Sequence, residues 1–171
     1  MRAIIGLCFL VAAANAQEGL WSLGLRTNGT IDFLPGNDYF MGVEIGYSNF
    51  NLGAHKLEFK CAYLTSRLEQ VFRRNVKKQD YYLFSPLWHF RRNNLFDPIL
   101  KADLGYTRFD IENEKIFRDL DHDSWVAALN VGLNLNLGQG ETGLYYQVGY
   151  NLIQTSTLYP VVFGIGIWTM L

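Results

Sequence analysis

The stretch Trp125-Val-Ala-Ala-Leu-Asn-Val-Gly-Leu-Asn-Leu-Asn-Leu137 changes character at every residue. Trp125, Ala127, Leu129, Val131, Leu133, Leu135 and Leu137 fall on one side, and Val126, Ala128, Asn130, Gly132, Asn134 and Asn136 on the other. A period of two puts alternate side chains on opposite faces of a strand, so this is a β-strand with one apolar face and one small or uncharged polar face. It is longer than most strands of globular proteins.

The pattern repeats in both directions. Beyond the turn composition Gly138-Gln139-Gly140-Glu141, Leu144, Tyr146, Val148, Tyr150 and Leu152 alternate with Gly143, Tyr145, Gln147, Gly149 and Asn151. A last segment sets Val161, Phe163, Ile165 and Ile167 against Val162, Gly164 and Gly166. Earlier segments carry Trp21, Leu23 and Leu25; Met41, Val43, Ile45 and Tyr47; Leu57, Phe59, Cys61 and Tyr63; and Leu100, Ala102, Leu104 and Tyr106. Residues 79–90 bring the count to eight. Both faces of that fourth segment are apolar and Pro86 removes a ladder donor; Tyr82, Phe84, Trp88 and Phe90 are taken as its outer face.

Charge decides which face is outside. A soluble eight-stranded barrel turns apolar side chains inward and charges outward, and a membrane barrel inverts this. From Trp125 to Leu171 the only charged residue is Glu141, in a turn. A water-facing surface without Lys or Glu would be unusual, whereas a confined lumen of Asn, Gly and Gln needs neither. No residue of the apolar faces is charged, in keeping with the cost of about 2–4 kcal/mol for Lys or Arg at a bilayer midplane. In hydrocarbon every backbone N–H and C=O must be paired internally, so strands span only as a closed barrel. The expected fold is all-β: a closed antiparallel eight-stranded up-and-down transmembrane β-barrel.

At the N-terminus, Arg2, the apolar run from Ala3 to Ala14 and the small residues Ala14 and Ala16 have the layout of a secretory signal peptide. Residues 1–16 are expected to be the signal and residues 17–171 one barrel domain. The run is too short for a spanning helix. Cys8 lies in the expected signal, so the expected mature domain keeps only Cys61, and one cysteine cannot build a disulfide framework within one chain. Charge is nearly balanced, 15 basic against 16 acidic residues, which gives no pull toward nucleic acid.

The whole barrel pattern resembles the small bacterial outer-membrane β-barrel proteins, the size class of the outer-membrane protein A membrane domain and outer-membrane protein X. The terminal segment is the nearest match, with Leu171, Ile167, Ile165, Phe163 and Val161 in one frame; Leu171 stands where that class has an aromatic, and Thr169 where it has an apolar residue. The resemblance implies an outer-membrane location with both termini in the periplasm. Residues 29–37, 66–78, 110–123 and 154–158 then face outside, and the connections at 49–54, 91–97 and 138–141 face inside.

The second outer loop is basic, with Arg67, Arg73, Arg74, Lys77 and Lys78, and the third is acidic. Arginine forks suit phosphate oxygens, which makes the basic loop a candidate contact for lipopolysaccharide or other outer-membrane lipids. The alternative is that both loops are only solvated. Asp119, Asp121 and Asp123 alternate as at the start of a calcium loop, but Ser124 replaces the turn glycine and Asn130 the bidentate Glu, so no metal site is expected. His122 and Ser124 invite comparison with outer-membrane lipid A deacylases, but those carry the pair near the C-terminus, and the residues after Ser124 hold no acidic partner matching their pattern. His55 and His89 have no catalytic companions nearby in sequence.

Glu44, Lys56, Glu58, Lys60, Lys101 and Asp103 fall on inward positions, three acids and three bases. Buried charges must pair, and eight strands leave a lumen that side chains fill. A plugged, salt-bridged interior is expected, with Glu58 coupled to Lys60 or Lys101. The sequence therefore predicts a non-enzymatic barrel without cofactors, with a structural or surface-interaction role. The alternatives are an outer-membrane lipid-modifying enzyme, a narrow porin-like channel, or a secreted lipocalin-like binder suggested by Gly19-Leu20-Trp21.

Overall fold

The computed structural model describes residues 20–30, 39–52, 55–67, 76–91, 94–111, 123–137, 142–153 and 161–171. They form β1 (Leu20–Thr30), β2 (Tyr39–Leu52), β3 (His55–Arg67), β4 (Val76–His89), β5 (Phe96–Ile111), β6 (Asp123–Leu137), β7 (Thr142–Asn151) and β8 (Val161–Met170). Each strand pairs antiparallel with the next, and β8 returns to β1, closing the barrel. The ladder has no edge, as the hydrocarbon argument requires. The signal peptide expected at residues 1–16 lies outside the described residues.

Burial follows the alternation, inverted relative to a soluble protein. In β6, Trp125, Leu129, Val131, Leu133 and Leu137 are exposed, while Val126, Ala128, Asn130, Asn134 and Asn136 are buried. In β4 the interior takes Leu83, Ser85, Leu87 and His89, and the exterior takes Tyr82, Phe84, Trp88 and Phe90. Pro86 is accommodated because β4 drops its pairing to β5 at Ser85 and Pro86 and resumes at Leu87↔Lys101 in the register it had at Phe84↔Leu104. β5 starts earlier than the alternation indicates, so Asp97 is a strand residue with its side chain inside, not part of a connection.

One outer-face expectation fails locally. Tyr47 is only 4% exposed. The β2–β3 register shifts between Ser48 and Phe50, and the Trp21 ring covers Tyr47 at a centroid distance of 5.0 Å, so the bulge and its neighbour screen the ring.

On β5 the outward positions from Phe96 to Tyr106 carry no charge. These ten residue steps span about 33 Å at ~3.3 Å per residue, or about 25 Å along the normal at a tilt of ~40°. That matches the apolar band of membrane barrels. Aromatic contacts flank it: Tyr63–Tyr82 and Tyr106–Trp125 toward one end, and Trp21–Tyr47 and Trp88–Phe90 toward the end where β1 begins and β8 finishes.

Glycines on the inner face make room for the plug. A Cβ on Gly166 would lie 2.3 Å from the Tyr145 ring, and one on Gly143 would lie 2.5 Å from Trp168. Two large rings can enter a narrow lumen because their neighbours have no side chain.

Candidate functional site

The strand frame that turns Trp21, Leu23 and Leu25 outward turns Ser22, Gly24, Arg26 and Asn28 inward. Arg26 therefore projects from β1 into the lumen, fully buried, and its guanidinium grips Asp103 of β5 with Nη2 2.7 Å from Oδ2 and Nη1 3.2 Å from Oδ1. Asp103 also accepts from Ser85 Oγ and from Asn130 Nδ2, and Arg26 Nε donates to Asn28 Oδ1 at 2.8 Å. A planar fork against a carboxylate is the strong form of this pairing.

A second knot centres on Glu44. Lys60 Nζ donates to its Oε1 at 2.7 Å and Tyr145 Oη donates to its Oε2 at 3.0 Å. Lys101 Nζ stands between the two knots, 3.7 Å from Glu44 Oε2 and 3.5 Å from Asp103 Oδ1. The ammonium groups of Lys60 and Lys101 lie 5.3 and 5.5 Å from the centroid of the Tyr145 ring, within cation–π range.

Toward the terminal end, Glu58 accepts from Ser22 Oγ at 2.6 Å and sits 3.9 Å from Lys60 Nζ. The lysine next to it is Lys60; Lys101 is engaged elsewhere. His89 bridges two carboxylates, with Nε2 3.1 Å from Glu58 Oε2 and Nδ1 2.6 Å from Asp97 Oδ2. Arg91 N–H donates to the other Asp97 oxygen at 2.7 Å. The companions absent from the sequence around His89 are supplied by β3 and by the start of β5.

Of the six charges assigned inward by sequence, Glu44, Glu58, Lys60, Lys101 and Asp103 are buried in this network. Lys56 is half-buried, opposite His89 in register. Arg26, His89 and Asp97 join them unassigned. The alternation already turned Arg26 and His89 inward; Asp97 was hidden because its strand appears to start later.

Two apolar clusters share the lumen with the charges, the second at the level of Glu58 and His89, which pair in register with Leu87 and Ile99. Phe40, Ala62, Leu64, Leu83 and Val126 pack together beyond Asn28, with Tyr81 edge-on to Phe40. Leu87, Ile99, Tyr145 and Trp168 form the other cluster, and Trp168 Nε1 donates to Asn134 Oδ1 at 2.8 Å.

Of the basic positions, Lys78 lies on the outer surface of β4, where its Nζ is 2.8 Å from Asp80 Oδ2. Arg67 and Lys77 belong to β3 and β4, and Arg73 and Arg74 lie outside the described residues, as do Asp119, Asp121 and His122. Ser124 is buried on β6, opposite Thr107. Among the described residues no group of three metal-ligating side chains could hold an ion.

No protein-family model matches the chain, and no curated protein matches it. Solved structures do. The N-terminal β-barrel domain of Pseudomonas aeruginosa OprF is 14% identical and superposes with a TM-score of 0.58 over 90% of this chain and 100% of that one. Ail, the attachment invasion locus protein of Yersinia pestis, is 14% identical, with a TM-score of 0.55 over 90% and 97%. Neisserial surface protein A is 14% identical, with a TM-score of 0.51 over 88% and 96%. At such identity the likeness is one of fold: the chain folds as the small eight-stranded outer-membrane barrels do.

Proposed function

We propose that the chain is an integral outer-membrane protein whose barrel is a sealed, non-enzymatic anchor and whose outer connections make its contacts. One observation carries this reading: the charged side chains of the interior are spent on one another, while the wall around them is apolar. Arg26, Glu44, Glu58, Lys60 and Asp103 contact opposite charges, His89 lies between the Glu58 and Asp97 carboxylates, and two apolar clusters fill the space among them. A lumen filled by paired side chains, as eight strands allow, supports an anchor over a channel.

The contact proposed for the outer side is with lipid phosphates, lipopolysaccharide included, through the basic segment Arg67, Arg73, Arg74, Lys77 and Lys78. The chemistry of guanidinium and ammonium groups toward phosphate supports it. Fractionation tests the anchor: the protein should stay with outer membranes through salt and carbonate washes and run differently on gels before and after heating. Recovery as a soluble periplasmic protein would overturn it. Binding to lipopolysaccharide vesicles should weaken at least tenfold when Arg73 and Arg74 are both changed to Ser, and unchanged binding would remove the lipid contact while leaving the anchor.

A further inference from the structure

A small cavity adjoins the Arg26–Asp103 pair. Its volume is about 20 Å³, and its polar lining is Asn28, Asp103, Asn130 and Asn151, with Phe40 and Leu83 among the apolar walls. One water needs roughly 10–15 Å³ of such space and two to four polar partners, whereas voids of wholly apolar lining stay dry. This cavity meets both conditions for a single molecule and is too small for a larger solute.

Lys101 and Gln147 neighbour Asp103 and Asn130 without lining the cavity, and their bonding is incomplete. Lys101 Nζ lies 3.5 Å from Asp103 Oδ1 yet makes no hydrogen bond, although the residue is only 1% exposed. Gln147 Nε2 reaches Asn130 Oδ1 at 3.4 Å, and its buried Oε1 has no donor. A water in the cavity reaches these groups only through Asp103 and Asn130, which do line it, so the case rests on the cavity's own polar lining. A cation is disfavoured, because Arg26 and Lys101 already bring two positive charges to the Asp103 carboxylate.

We propose that the cavity beside Asp103 is a binding site for one ordered water molecule, which joins the carboxylate to the asparagines of β1, β6 and β7. The water extends the polar network to the edge of the Phe40–Leu83 cluster, and the apolar side chains stop it there.

Water-selective NMR on the full barrel in deuterated micelles tests the site. Water cross-peaks are expected at the Ala128 methyl and the Asn130 side-chain amide, and xenon pressure should leave the Val126 and Ala128 methyl shifts unchanged. Missing water cross-peaks, or a saturable xenon shift, would mean a dry void and overturn the proposal. A shift on replacing sodium with ammonium would overturn it in favour of a cation. Ala128→Val should fill the space and abolish the Asn130 cross-peak; if it persists in the assembled variant, the water is elsewhere. Should that variant fail to assemble, the wild-type and xenon measurements still decide.

Discussion

Arg26 and Asp103 face each other across the full width of the barrel, from β1 to β5, and are joined by two hydrogen bonds of 2.7 and 3.2 Å. In a ring of eight strands these two stand opposite, so the pair braces the wall at points that share no backbone hydrogen bond. Removing Asp103 leaves the Arg26 guanidinium buried without its carboxylate, which costs about 3–5 kcal/mol, and removing Arg26 leaves Asp103 with Lys101 at 3.5 Å as its cationic neighbour. Arg26→Met and Asp103→Asn should each lower the temperature at which the unheated gel form is lost, and the double variant should recover part of that loss. Strict additivity would show that the pair does not couple.

The exterior is tested by depth. Leu133, 39% exposed on the apolar wall opposite Pro98, lies off the middle of the band, so Leu133→Arg should cost less than the midplane ~2–4 kcal/mol but more than an interfacial position. Asp123 is at the loop end of β6, and Asp123→Arg should cost ~0–1 kcal/mol there. Denaturant refolding into vesicles measures both, and equal costs would mean that the wall at Leu133 does not meet lipid.

Tyr145 separates packing from hydrogen bonding. Tyr145→Phe removes one donor to Glu44 and should cost about 1.5–3 kcal/mol, the range for hydrogen bonds to charged groups. Gly166→Val should be worse, because its side chain would occupy the space of the ring. If Gly166→Val matches wild type in unfolding, the ring does not need that glycine.

Conductance tests the seal. In planar bilayers the wild type should show no stable open level. Phe40→Ala with Leu83→Ala should stay closed, since the charge network remains; Glu44→Ala and Asp103→Ala added to them should leak. A steady wild-type conductance of porin size would replace the anchor with a channel.

Alternation repeated over eight segments predicts the strands, because a period of two acts within each strand, while the lack of charge from Trp125 to Leu171 apart from Glu141 predicts their inversion and hence the closed barrel. The fourth strand was harder, both faces being apolar, yet Trp88 and Phe90 outside already implied His89 inside. Partner choice was not legible. Which lysine meets Glu58, or that Asp97 clamps His89, depends on how neighbouring strands are staggered, and no single strand encodes that. Tyr47 shows the same limit, since its covering depends on Trp21 of another strand and on a bulge.

The pairing of β8 with β1 brings Ser22 opposite Met170. These contacts join the elements most distant in sequence, so their loop-closure entropy is the largest in the molecule and their formation the slowest. Until they form, β1 and β8 each present an open row of amide groups that another chain can pair with. A change that weakens this seam is therefore expected to raise the yield of aggregates, because it prolongs the exposure of both rows.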